Sequence, residues 1–297
     1  MHRRPDWNKE GRDWPNREAS QFIEVGDLRW HVQQMGTGPV LLLVHGTGAA
    51  THSWRDLMPL LARDFTVIAP DLPGHGFTQA PGGQGLSLPG MAASLAALLD
   101  TLGVKPDLVL GHSAGAAILI RMCLDGRIAP RALISLNGAL LPLRGAAGKW
   151  FAPAARLFAT HPLLTRFFAW RSRDPSVVER LVASTGSSLD RRGVDLYRRL
   201  VTTPGHTGAA IEMMANWDLG PLGQDLPQLT TPLFLMVAEN DGTVRPAEAR
   251  RVRKMVPSAE IDIIPGLGHL AHEEAPGIVA GLIRGIAERI GLLKETA

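Results

Sequence analysis

Leu108-Val109-Leu110-Gly111-His112-Ser113-Ala114-Gly115-Ala116-Ala117-Ile118-Leu119-Ile120 reads as a short apolar strand, an abrupt turn and an apolar helix. Ser113 sits at the turn, with a glycine two places to either side. A serine on so sharp a reversal takes a strained backbone conformation, and Cβ atoms at the flanking positions would clash. The reversal lifts the hydroxyl clear of the sheet. It also aims the Ala114 N–H and the helix N-terminus at an anion forming on a substrate. With 32 glycines in 297 residues, Gly-x-Ser-x-Gly alone decides little. Its place between an apolar strand and an apolar helix makes Ser113 the candidate nucleophile.

Outward from that turn the chain alternates strands and helices. Gln21–Val25 and Leu28–Gln34 flank Gly26-Asp27 as a hairpin. Pro39–Val44 is a continuous apolar run, expected to be a strand buried on both faces of a parallel sheet. Trp54–Ala62 is expected as a helix, Phe65–Ala69 as a strand, Leu88–Leu102 as a helix, and Ala132–Leu136 as the sixth strand. Between Gly138 and Gly205 no strand-like run occurs, only helical segments around Trp150–Trp170, Pro175–Ser184 and Gly193–Thr202. The alternation resumes with the strand Leu233–Ala238, a helix over Pro246–Met255, the strand Glu260–Ile264 and a last helix over Ala275–Ile290. The expectation is an α/β fold, a mostly parallel eight-stranded sheet flanked by helices, with an all-helical cap after the sixth strand. Its expected parts are a first core segment, 1–137, opening with an irregular arm over 1–20 whose Trp7 and Trp14 pack on the body. The cap follows at 138–205 and a second core segment at 206–297.

Composition bounds the function. Hydrophobic residues make up 45% and charged residues 20%, suited to a globular domain with a sizeable core. Met1–Ser20 is polar and charged and no run is long enough to span a bilayer, so neither a leader nor a membrane span is expected. Cys123 is the single cysteine, which rules out an internal disulfide and fits a reducing compartment. A net charge of +3 does not point to nucleic acid. The cap is lopsided, however: eleven basic against four acidic residues give it +7 and leave the remainder at −4.

A serine nucleophile needs a base, and the base needs an orienting acid. In sheets of this class those groups lie on loops after the strand C-termini. His269 follows the last strand on Pro265-Gly266-Leu267-Gly268, with His272 as its competitor. Asp241 lies just past Leu233–Ala238, with Glu239 the weaker option. The order Ser113, Asp241, His269 is that of α/β-hydrolases. His45-Gly46-Thr47-Gly48 closes the apolar run Pro39–Val44, and its Thr47 N–H is the candidate second oxyanion donor beside Ala114. His45 and His112 flank these turns as candidates for shaping the pocket, together with Trp150, Phe151 and Phe167 of the cap.

Nearly the whole chain resembles an α/β-hydrolase with a helical cap. Asp71-Leu72-Pro73-Gly74-His75-Gly76, the serine turn and Gly266-Leu267-Gly268-His269 carry that likeness. The N-terminal third resembles the BchO family, magnesium-chelatase accessory proteins of bacteriochlorophyll biosynthesis. The stretches in question are Asp13-Trp14-Pro15-Asn16-Arg17, Leu28-Arg29-Trp30-His31-Val32-Gln33 and His45–Arg55. This resemblance implies photosynthetic pigment synthesis, with magnesium chelatase or other pigment-synthesis proteins as partners. Two roles stay open, the Ser113, Asp241 and His269 set favouring the first and this resemblance the second. The first is a serine hydrolase acting on a tetrapyrrole ester or another hydrophobic carboxylate ester. The second is a non-catalytic accessory protein that binds a tetrapyrrole or a partner. No ATPase loop or metal-ligand cluster occurs, so neither a cofactor nor a metal site is expected. The aromatic and basic residues interleaved from Lys149 to Arg173 leave three readings open. They pack the cap on the core, line an apolar pocket with a basic rim, or rest on an anionic membrane surface. The expected location is cytoplasmic, at the inner face of the membrane if the third reading holds.

Overall fold

Val40–Val44 forms strand β3, and its side chains divide cleanly between the two faces of a sheet. Leu42 and Val44 join one core cluster, Leu41 and Leu43 the other. The computed structural model, which describes residues 3–142, 171–172 and 174–294, repeats this division along the middle of the sheet. In β5 (Leu108–His112) Val109 faces the first cluster and Leu108 and Leu110 the second. In β7 (Leu233–Ala238) Leu233, Leu235 and Val237 face the first cluster and Phe234, Met236 and Ala238 the second. Side chains alternate across a strand, so only uninterrupted apolar runs serve two cores at once.

The sheet has eight strands in the order β1-β2-β4-β3-β5-β6-β7-β8. Strands β1 (Ser20–Val25) and β2 (Leu28–Met35) form an antiparallel hairpin, and β2 also runs antiparallel to β4 (Thr66–Pro70). From β4 through β3, β5, β6 (Ala132–Leu136), β7 and β8 (Glu260–Ile264) all pairings are parallel. Helices α2 (Leu88–Leu102) and α3 (Ala114–Leu124) cover the first cluster. Helix α1 (Leu57–Leu61) and the last helix, described below, cover the second.

Between β6 and β7 the described elements are helical: α4 (Pro175–Ser184), α5 (Arg191–Val201), α6 (Pro204–Ala215) and α7 (Gly220–Asp225). Helix α8 (Ala247–Met255) joins β7 to β8. A short helix α9 (Ala271–Glu274) then precedes α10 (Pro276–Arg289).

One expected helix differs. Instead of one helix over Trp54–Ala62 the chain makes a 3-10 turn at Thr51–Trp54 and begins α1 only at Leu57. Pro59 is the reason. A helix begun at Trp54 would need the Pro59 nitrogen to donate to the Arg55 carbonyl, whereas a start at Leu57 puts Pro59 in the first turn, where no donor is required. The Arg55 carbonyl is taken instead by Asn16 Nδ2 at 3.1 Å. The last helix forms where expected, as α10, and Pro276 keeps Ala275 out of the helical conformation (φ −141°, ψ 66°), which separates α10 from α9.

The first residues pack as a strap. Trp14 is 2% exposed and donates from Nε1 to Thr51 Oγ1 at 3.0 Å. Trp7 stacks against His31 and lies beneath the Arg17 guanidinium. Arg199 of α5 forks onto the Asp13 carboxylate (2.8 and 3.0 Å) and donates to the Glu10 carbonyl, while the Gly205 N–H donates to the Arg3 carbonyl. The strap therefore joins the hairpin side of the sheet to helices α5 and α6.

Candidate active site

Ser113 leaves β5 with φ 52° and ψ −117°, a conformation L-residues avoid. The packing around it explains the flanking glycines. A Cβ on Gly111 would overlap the Ala116 backbone, and one on Gly115 would overlap the carbonyl oxygen of Val44. Across the turn, a Cβ on Gly46 would come within 2.9 Å of Ser113 Cβ. Strand β5, helix α3 and the turn after β3 thus close on one another at distances only glycine permits.

His269 and Asp241 arrive from the ends of β8 and β7. His269 Nδ1 lies 2.8 Å from Asp241 Oδ2. The other oxygen, Oδ1, accepts from the N–H groups of Thr243 (2.7 Å) and Val244 (2.8 Å), so the carboxylate is fixed before it meets the imidazole. His269 and Ser113 line one cavity, so the structure brings together the three residues singled out from the sequence. Among the described residues no hydrogen bond joins the Ser113 hydroxyl to His269 Nε2. The alternatives lie elsewhere. His272 is fully buried, with Nε2 2.7 Å from Ser53 Oγ, and Glu239 reaches the Gly266 N–H on the surface.

The oxyanion candidates meet at the same place. Thr47 and Ala114 both line the cavity beside Ser113. Ala114 is the first residue of α3, where backbone N–H groups have no helical acceptor. Among the described residues the Thr47 N–H likewise has no acceptor. The Gly46 carbonyl, which belongs to the same peptide unit, is held by His45 Nδ1 (2.8 Å) and the Ala49 N–H (3.2 Å). In a trans peptide the C=O and N–H point oppositely, so anchoring this carbonyl turns the Thr47 N–H away from it.

His45 does not reach the cavity, contrary to its reading as a pocket residue. It is fully buried beneath the turn, its Nε2 accepting from the Leu72 N–H at 2.9 Å. The alternation along the chain from β3 carries its ring behind the turn. His112 does line the cavity and donates from Nε2 to the His269 carbonyl at 2.9 Å. Burial holds the pKa of both rings below the ordinary histidine value, that of His112 well below. Trp150, Phe151 and Phe167 lie outside the described residues.

Two residues with site contacts went unread in the sequence. Asn137, at φ 48° just after β6, accepts from the Ala238 N–H (2.8 Å) and donates to the His269 carbonyl (2.9 Å). It ties together the strand ends that carry Asp241 and His269. An asparagine followed by glycine at a strand end is a signal for left-handed backbone, but not for these partners. His206 of α6 lines the cavity and had no sequence signal at all.

The cavity measures about 780 Å³, and Val178, Val182, Ile211, Met214, Trp217 and Leu219 give it a largely apolar wall. Such a volume suits a ligand of drug size or larger. Among the described residues no group of three or more His, Cys, Asp or Glu side chains is placed to hold a metal ion, and no helix is long and apolar enough to cross a membrane.

The chain resembles known proteins in sequence and in fold. The family model described as "Alpha/beta hydrolase family" matches residues 41–282. The chain belongs to the alpha/beta hydrolase family. Within that family it is 40% identical to the magnesium-chelatase 30 kDa subunit of Rhodobacter capsulatus, an alignment covering 91% of this chain and 95% of the relative. It is 29% identical to a pyrrolizixenacetamide deacetylase of Xenorhabdus hominickii, over 86% of this chain and 92% of that one. Among solved structures, a thermophilic esterase from Thermogutta terrifontis superposes with a TM-score of 0.72 at 24% identity, covering 91% of this chain and 98% of that one. At that identity the likeness speaks for the alpha/beta hydrolase fold alone.

Proposed function

We propose that the protein is a serine hydrolase that cleaves an ester-type bond in a hydrophobic substrate. The observation that carries this reading is the hydrogen-bonded His269–Asp241 pair, its carboxylate already fixed by two backbone N–H groups, on the same cavity as the strained Ser113. In the proposed reaction His269 Nε2 takes the Ser113 proton as Oγ attacks the acyl carbonyl, and Asp241 holds the imidazole in the tautomer that leaves Nε2 free. The N–H groups of Thr47 and Ala114 receive the oxyanion. His269 returns the proton to the departing alcohol, and water then cleaves the acyl-enzyme. The apolar wall supports a hydrophobic acyl or alcohol part.

The likeness to a magnesium-chelatase subunit supports a place in bacteriochlorophyll synthesis, with a tetrapyrrole ester as substrate and chelatase components as partners. It also favours a second reading, in which the same cavity binds a tetrapyrrole or presents a partner surface without catalysis. A fluorophosphonate probe separates the two. The hydrolase reading expects covalent labelling of the native protein that Ser113→Ala abolishes. Absence of labelling, with tetrapyrrole binding unchanged by Ser113→Ala, selects the accessory role.

A further inference from the structure

The turn that presents the Thr47 N–H is gripped from two sides. On the sheet side His45 and the Ala49 N–H hold the Gly46 carbonyl. On the other side the grip comes from α6, which packs unusually close. Gly74, in the loop after β4, has room for no side chain there, since a Cβ would come within 2.6 Å of Ala209 Cβ. Met213 places its sulfur 3.5 Å from Thr47 Oγ1.

His206, in the first turn of α6, makes the polar part of that contact. Its Nδ1 accepts from the Gly76 N–H at 3.0 Å. A backbone N–H only donates, so Nδ1 carries no hydrogen and the proton resides on Nε2. Nε2 lies 3.1 Å from the Gly48 carbonyl and therefore donates to it. The two contacts fix one tautomer and one ring orientation. Gly76 can offer its N–H here because a Cβ at that position, φ 48°, would overlap the Asp71 carboxylate and none is present. Gly48 itself stands at φ 78°, a conformation other residues resist. Burial lowers the His206 pKa to about 4, so the ring is in the neutral form that these contacts require.

We propose that His206 is a positioning residue, which locks the turn bearing the Thr47 N–H to helix α6 and so keeps that oxyanion donor aimed beside Ser113. The consequence is that docking of α6 and assembly of the oxyanion site are one event. A hydrolase site whose second donor depends on a helix outside the strand-and-turn core is competent only with that helix seated. This inference rests on the hydrolase reading of Ser113.

The test uses the full chain with a short activated ester, p-nitrophenyl acetate, and compares wild type with Ser113→Ala, His206→Phe and His206→Gln. Phenylalanine keeps a ring of similar shape and deletes both hydrogen bonds. Glutamine offers an acceptor and a donor about as far apart as the two ring nitrogens. Loss of a whole oxyanion donor costs about 100- to 1000-fold in kcat, so a donor left in place but loosened is expected to cost about 10- to 100-fold. KM is expected to stay within about twofold, because the lost interaction belongs to the transition state. His206→Gln is expected to recover most of kcat, and affinity for a phenylboronate, a tetrahedral mimic, is expected to track kcat across the series. If the phenylalanine variant does not fold, His206→Ala, which leaves room for water to serve Gly76 and Gly48, takes its place. Wild-type kcat in the folded variant, or equal losses in the Phe and Gln variants, overturns the role of His206 while leaving the hydrolase reading intact. Wild type without Ser113-dependent turnover overturns the hydrolase reading, and the positioning role with it.

Discussion

Replacing Arg55 by methionine isolates a buried charge at a distance from the reacting groups. Arg55 pairs with Glu273, whose side chain is fully buried, and Asp56 and Asp190 lie near the outer edge of the same guanidinium. Glu273 Oε1 also accepts from Ser53 Oγ (2.8 Å) and Tyr197 OH (2.7 Å). Burial raises the Glu273 pKa even in the presence of these partners, and Arg55 is the main influence in the opposite direction. Methionine fills similar space and removes that influence. At pH 7 the orphaned carboxylate is expected to cost about 3–5 kcal/mol of stability. The cost falls on acidification, because a protonated Glu273 needs no cation. Between the unfolded pKa, about 4.3, and the raised folded value, the native state binds the extra proton, so stability declines as pH rises. Each unit in that window is worth about 1.4 kcal/mol, so moving from pH 7 to pH 5 returns at most about 2.7 kcal/mol. Urea unfolding of wild type and Arg55→Met at both pH values reads this directly. A loss below about 1 kcal/mol, or one equal at pH 5 and pH 7, would show that Glu273 is not held charged by Arg55 and would refute the reasoning.

Other substitutions probe the site and its frame. Asp241→Asn keeps an acceptor for the Thr243 and Val244 N–H groups. It is therefore expected to melt with wild type by circular dichroism, yet to lose about 10⁴-fold in ester kcat, because an amide donor toward Nδ1 imposes the wrong tautomer. Gly115→Ala drives a methyl into the Val44 carbonyl. It is expected to lose at least about 1–3 kcal/mol in urea unfolding, as overpacked interiors do. Burial pushes the Cys123 thiol up to about 11, so at pH 8 only about 0.1% is thiolate, against about a quarter for a free cysteine. Iodoacetamide is expected to alkylate the native protein more than about 100-fold more slowly than the protein in urea, by mass spectrometry.

The parts of the fold legible from sequence were those whose signals are local. Leu88–Leu102 forms with the expected bounds and the helix after Ser113 forms as Ala114–Leu124, because strand, turn and helix chemistry adjoin within a few residues. Ser113 stands where its two glycines required, and the ends of β7 and β8 bring Asp241 and His269 together from loops that strand order alone located. The helix expected from Trp54 begins only at Leu57 because Pro59, a single residue inside an apolar period, bars the earlier start. Helix α6 resisted for a different reason. Pro204-Gly205-His206-Thr207-Gly208-Ala209-Ala210 has two glycines, and α6 packs on more than one side, so no polar face marks its period. The partners of His206, at Gly48 and Gly76, and the pairing of Arg55 with Glu273, 218 residues away, arise from tertiary contacts that no local pattern encodes.

The N-terminal strap also sets an order of events during synthesis. Glu10 is made 189 residues ahead of the arginine that takes its carbonyl. At about 5–20 residues per second, the strap waits about 10–40 s before Arg199 is made. Throughout that interval Trp7 and Trp14 have the hairpin, the turn at Thr51 and Phe77 to settle on, all of them made before Arg199. The earlier-made strap thus becomes the template on which α5 lands. A nascent chain stalled before Arg199 would display the seam between strap and α5 unclosed.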